Sequence, residues 1–149
     1  MLTVLAVGNP IMGDDAIGIT LLEAVRAARP DAAAYVDGGT GGMELIPVVQ
    51  EAEKLLILDA VAGPVPGQVR HLTGDQIPRM LQSKLSPHQV GLLDVFTAAR
   101  LLGSEPEEIQ VVGITPESVE IRLGLSETVA ESLDEAVAKA IEVLDSWHQ

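Results

Sequence analysis

Two aspartates stand side by side in VGNPIMGDDAIGI, Val7 to Ile19, where an apolar run gives way to a helical pattern. Gly8 and Gly13 have the G-x-x-x-x-G spacing of a phosphate-binding loop, but such a loop continues with Lys and then Ser or Thr. Here Asp14 and Asp15 follow. Two carboxylates would oppose any phosphate drawn to a helix N-terminus, so this turn suits a cation. An aspartate at a helix start can also cap free N–H groups, worth about 0.5–2 kcal/mol. One cap accounts for one aspartate. The other, Asp14 or Asp15, would be left to face a cation.

Asp59 closes the all-apolar run LLILD. A carboxylate there is either a solvated strand end or a functional group at the rim of a sheet. His88 lies in SPHQ, which reads as a capping box with Ser86 at the N-cap, Pro87 at N1 and Gln89 at N3. The helix dipole lowers imidazole basicity, and neutral imidazole is the form that ligates metal. A solvated surface histidine would look the same. His71 falls in an edge strand and His148 near the C-terminus, away from any strand exit. Two carboxylates and one imidazole can hold a borderline divalent ion and leave positions open for water or substrate. Asp15, Asp59 and His88 lie too far apart in the chain to form a motif, so the residues alone leave this constellation open. The run DGGTGG, 37–42, fails as a dinucleotide fingerprint, because with Gly39 and Gly41 as its first glycines the third position is Glu44. It suits a tight turn or close backbone approach to a partner.

The elements that must position these residues follow from periodicity. Strands are predicted at 2–7, 33–37, 54–61, 68–72 and 108–114, the fourth as an edge strand, possibly antiparallel. KLLILDAV at 54–61 has no alternation, which marks a strand covered on both faces. Helices are predicted at 15–28, 43–52, 86–103 and 126–147. Ile17, Leu21, Val25 and Ala28 form the buried stripe of the first helix; Val129, Leu133, Val137, Ile141 and Leu144 form that of the last. The order implies one domain over 1–149: an α/β fold with a twisted, mostly parallel, five-stranded mixed sheet and helices on both faces. Ligands of such sheets bind beyond the carboxyl ends of the strands, where Asp15, Asp37 and Asp59 fall.

Composition narrows the partners. The chain has 149 residues, 47% of them apolar, and no cysteine. It needs no disulfide and carries no thiolate. The start lacks signal-peptide features and no apolar run approaches the ~18 residues of a membrane span, so a cytoplasmic protein is expected. The formal net charge of −13 disfavours nucleic acid and anionic membrane.

VGNPIMGDDAIGI, DGGTGGMEL, LLILDAV, SPHQVGLLDVF and VVGITPES together resemble the hydrogenase maturation endopeptidases, over about Leu2 to Trp147. SPHQ and GITPES resemble the branch serving uptake-type [NiFe]-hydrogenases. The resemblance implies a peptidase that removes a C-terminal extension from the hydrogenase large-subunit precursor after nickel insertion. It implies a cut after a basic residue near the precursor's last metal-binding cysteine. It implies Asp15, Asp59 and His88 as metal ligands and, through the metal, as the catalytic set. Some members have Glu where this chain has Asp15. Nickel would come with the precursor, whose thiolates complete the shell. A metal-polarised carbonyl or metal-activated water is the simplest hydrolytic device, because no separate nucleophile is evident; nickel that only positions the peptide is the alternative. Asp37, Gly38, Gly39 and Thr40 are weaker candidates for contact with the extended peptide. The chain is expected to act as a monomer. A non-catalytic nickel-site recognition protein or chaperone is the competing reading.

Overall fold

Leu55, Leu56, Ile57 and Leu58 are consecutive, and all four side chains are fully buried. A strand apolar on both faces must lie inside a sheet with both faces covered. In the computed structural model, which describes residues 2–39, 43–74, 76–77 and 99–149, they occupy the middle of β3 (Lys54–Ala60), the central strand. The other strands are β1 (Leu2–Ala6), β2 (Ala34–Asp37), β4 (Val69–Thr73) and β5 (Glu108–Ile114). The sheet order is β2-β1-β3-β5-β4. All neighbours are parallel except β4, which runs antiparallel to β5 at the edge. The mixed five-stranded sheet and the antiparallel edge strand agree with expectation.

Helices cover both faces. On one, Ile17, Leu21 and Val25 of α1 (Ile17–Ala28) meet Val4, Leu56, Leu58, Val112 and Ile114, together with Ala136, Ala140, Val143 and Leu144 of α4 (Leu133–Trp147). On the other, Val49 of α2 (Ile46–Glu51) packs with Leu5, Leu55, Ile57, Val111, Leu72 and Ala99. Each fully buried leucine or valine contributes about 1.5–3 kcal/mol relative to an exposed one.

Several boundaries differ from the sequence reading. The first helix opens with a 3-10 turn, Gly13–Ala16, before α1 begins. Ala28 is exposed, and Leu22 is buried instead. The last helix is split into α3 (Glu127–Ala130) and α4. Its buried stripe is Ala136, Ala140, Val143 and Leu144. Leu133, Val137 and Ile141 flank that stripe. The small alanines let α4 approach the sheet closely, and a pattern scored on large side chains overlooks them. The helix predicted at 86–103 lies mostly outside the described residues. Its end is present: Gly103, at φ +75°, donates to Arg100 O and Ser104 donates to Ala99 O, the paired bonds of a Schellman cap.

Candidate functional site

The chain reverses its direction of strand addition between β1 and β3, since β2 lies on one side of β1 and β3 on the other. Such a switch point opens a crevice at the carboxyl edge, the ordinary ligand position of an open α/β sheet. Asp15 and Asp59 both lie there. Gly8 begins the loop at φ +134°, and its N–H donates to Gly39 O. A Cβ on Gly8 would stand 2.1 Å from Asp15 O, so the loop can double back only through glycine. Asn9 then donates its backbone N–H to Asp15 Oδ2 at 2.8 Å, while its own Oδ1 accepts from Ile11 N. Gly18 seats α1 on the switch point: a Cβ there would lie 2.5 Å from both Val7 O and Leu58 O.

Asp15 is 1% exposed and Asp59 4%. Alternation along β3 places Asp59 on the same face as Leu55, Ile57 and Val61. Its Oδ1 accepts from the Ala60 N–H at 2.7 Å. Burial pushes the Asp59 carboxyl well above the usual carboxylate range, the charge of Asp15 pushes it further, and the Ala60 amide offsets only part of this. Two interacting carboxylates in a buried crevice are costly without a cation. Two carboxylate oxygen donors are of the kind that could form one side of a divalent ion's shell. His88 and Thr40 lie outside the described residues. Among the described residues no three potential metal-binding side chains come together.

Asp14 does something other than cap its helix. Neither the 3-10 turn nor α1 receives a side-chain cap. Asp14 is 1% exposed and reaches across to the loop between β5 and α3. Its Oδ1 accepts from Ser126 N at 2.7 Å. Its Oδ2 accepts from Glu117 N, Ser118 N and Ser126 Oγ at 2.8, 3.1 and 2.8 Å. Burial raises its pKa, but the hydrogen bonds from Ser126, Ser118 and Glu117 outweigh that and hold the carboxyl below its ordinary value. The backbone repeats the tie: Gly13 and Asp14 donate to Arg122 O and Ser118 O, and Arg122 donates to Ile11 O. Asp14 thus anchors the loop that carries Asp15, a role with partners more than a hundred residues away that local pattern cannot reveal. Asn9 was also missed. Its proline-flanked position after a glycine marks a turn, but nothing local marks its N–H as a partner for Asp15.

Asp37 ends β2, and Gly39 O, two residues on, accepts from Gly8 N at the start of the Asp15 loop. Asp37 is exposed and its Oδ1 accepts from Gly39 N, while Gly38 donates to Ala6 O. His71 is exposed on β4, hydrogen-bonded to Gln110, and His148 bonds Ala32 O. Both lie off the site.

A family model described as hydrogenase maturation protease matches residues 19–143. The hydrogenase 2 maturation protease of Escherichia coli K12 is 38% identical over 145 residues, covering 95% of this chain and 88% of its own. The hydrogenase expression/formation protein HupD of Rhodobacter capsulatus is 36% identical over 149 residues, covering 97% and 71%. Among solved structures, the hydrogenase maturating endopeptidase HybD of Escherichia coli superposes with a TM-score of 0.89 at 36% identity, over 98% of this chain and 93% of that one. The [NiFe] hydrogenase maturation protease HybD of Thermococcus kodakarensis, at 24% identity, has a TM-score of 0.76 over 97% and 99%, a likeness of fold.

Proposed function

Because the chain belongs to the hydrogenase maturation protease family, we propose that it is an endopeptidase removing the C-terminal extension of a nickel-loaded [NiFe]-hydrogenase large-subunit precursor. It would act in the cytoplasm as a monomer. The observation that carries this reading is the pair of buried, mutually repelling carboxylates, Asp15 and Asp59, at the switch point of the sheet. The precursor brings nickel held by its own thiolates. Asp15, Asp59 and His88 supply the oxygen and nitrogen donors that recognise it. Docking therefore requires the metal, and processing waits for nickel insertion. Bound nickel supplies Lewis acidity at the peptide bond to be cut. Asn9 and Gly8 fix the Asp15 carboxylate. Asp37, Gly38, Gly39 and Thr40 border the path of the extended peptide.

Two results test this. Incubation with nickel-loaded precursor is expected to release the C-terminal peptide, seen as a mass loss, and nickel-free precursor is expected to stay uncut. Efficient cutting without nickel would sink the recognition model. Tight binding of a loaded but uncut precursor would instead mark a recognition protein or chaperone. As a control, His71→Ala is expected to leave the processing rate within about twofold, as for an exposed side chain remote from the crevice. A large loss would place the site elsewhere on the sheet.

A further inference from the structure

Asp59 and Arg70 flank Gly113 from opposite sides: β3 pairs Asp59 with Gly113, and β4 pairs Arg70 with the same residue. Paired residues project from one face, and over Gly113, which has no side chain, a methyl of Val61 packs close, 2.7 Å from where a Cβ would stand. Arg70 extends towards the loop after β3. One guanidinium nitrogen donates to Ala62 O at 3.2 Å. That nitrogen lies 2.4 Å from the point where a Cβ on Gly63 would stand, and Thr115 Oγ1 lies 2.9 Å from the same point. The two groups therefore meet over Gly63, whose missing Cβ gives the guanidinium room beside the hydroxyl. Thr115 is 2% exposed, and its hydroxyl has no hydrogen-bond partner among the described residues. A buried hydroxyl without a partner is costly and points to an absent one. Arg70 carries five N–H donors. Among the described residues it forms no ion pair, although the chain holds 22 carboxylates against nine Lys and Arg.

We propose that Arg70 and Thr115 form a carboxylate-binding subsite for the precursor's C-terminal segment. The proposal rests on the peptidase reading above. A guanidinium fork matches a carboxylate in two parallel bonds, and the threonine hydroxyl donates a further one to the same group. Two strand spacings separate Asp59 from Arg70, about 10 Å. Extended peptide covers that in about three residues. The recognised carboxylate, an acidic side chain or the extension's own terminus, thus sits about three residues from the bond held at Asp59.

The test combines binding and turnover on nickel-loaded precursor. Arg70→Gln is expected to raise Kd and KM about tenfold and leave kcat within about twofold, the loss of one charge-assisted contact. Gly63→Ala, whose φ is not positive, puts a methyl group 2.4 Å from the guanidinium nitrogen, must push it off Thr115, and is expected to do the same without removing the charge. Precursors with the extension's Asp and Glu replaced by Asn and Gln, or with an amidated C-terminus, separate the two sources. The form that removes the recognised carboxylate weakens the wild type about tenfold and leaves Arg70→Gln unchanged within about twofold. Equal losses by Arg70→Gln on every precursor, or no loss at all, overturn the subsite. If the wild type binds but does not cut, the peptidase reading fails while the Kd values still decide the subsite. Neither binding nor cutting refutes both.

Discussion

Asp59→Asn is expected to lower precursor processing by at least about a hundredfold, beyond the 10–100-fold cost of losing an outer partner of a metal ligand, while making the metal-free protein more stable. The opposed signs distinguish this prediction from simple damage. Asparagine has the shape of aspartate and keeps an oxygen to accept from Ala60 N–H. It removes a charge that burial and Asp15 both disfavour. The sign with pH is definite. A carboxyl whose folded pKa lies above its unfolded value takes up a proton on folding. Wild-type stability therefore falls as pH rises from the ordinary carboxylate range towards the raised folded pKa. In Asp59→Asn that decline disappears, so its advantage in Tm grows with pH across this window. Thermal unfolding of both proteins at several pH values, beside the processing assay, reads the two effects. Asp15→Asn and His88→Ala are expected to lose processing similarly. Near-normal processing in any of the three removes that residue from the shell. A site that sacrifices stability for function would behave as expected for Asp59.

The parts of this architecture that were legible in the sequence are those with local causes. β3 was readable because four buried residues in a row admit few alternatives. The edge strand was readable because QVRHL, 68–72, follows a proline-glycine turn, and the observed β4 is shifted from it by one residue. Gly103 marked a helix end because only a positive φ completes that cap. The split between α3 and α4, and the alanine face of α4, were not readable, because close packing of small side chains leaves a weak hydrophobic pattern. Asp59 could be picked out by type and position, but its proximity to Asp15 needed the parallel pairing of β1 with β3. Asp14 shows the limit most clearly. Its sequence position suggests a helix cap, and the cap energy is real elsewhere, but four donors from a distant loop offer the same carboxylate more than two free N–H groups could.

That displacement of role makes Asp14 the residue whose loss should cost most in stability. Asp14→Ala strands three backbone N–H groups and the Ser126 hydroxyl, all near or below the surface. At about 1–3 kcal/mol for each donor left buried, reduced by water entering the gap, a net loss of about 3–5 kcal/mol is expected. Asp14→Asn should not rescue it fully. Its amide NH2 must face either the Ser126 N–H or the three donors on the other oxygen. The pH dependence runs opposite to that of Asp59. The folded pKa of Asp14 is lowered, so its contribution is present above the ordinary unfolded value and is lost as pH falls towards the folded one. The wild type should therefore lose stability on acidification over that window, and Asp14→Asn should lose less. Denaturant unfolding at pH 7 and below pH 4 measures both slopes, with limited proteolysis across 117–126 as a local readout. Equal stability of wild type and Asp14→Ala at pH 7 would mean that the loop holds without its anchor. Because the same loop bonds Ile11 and Gly13 through Arg122, its release should also loosen the turn that aims Asp15. Processing by Asp14→Ala should then fall even at temperatures where the protein remains folded, and added precursor should raise its Tm less than it raises that of the wild type.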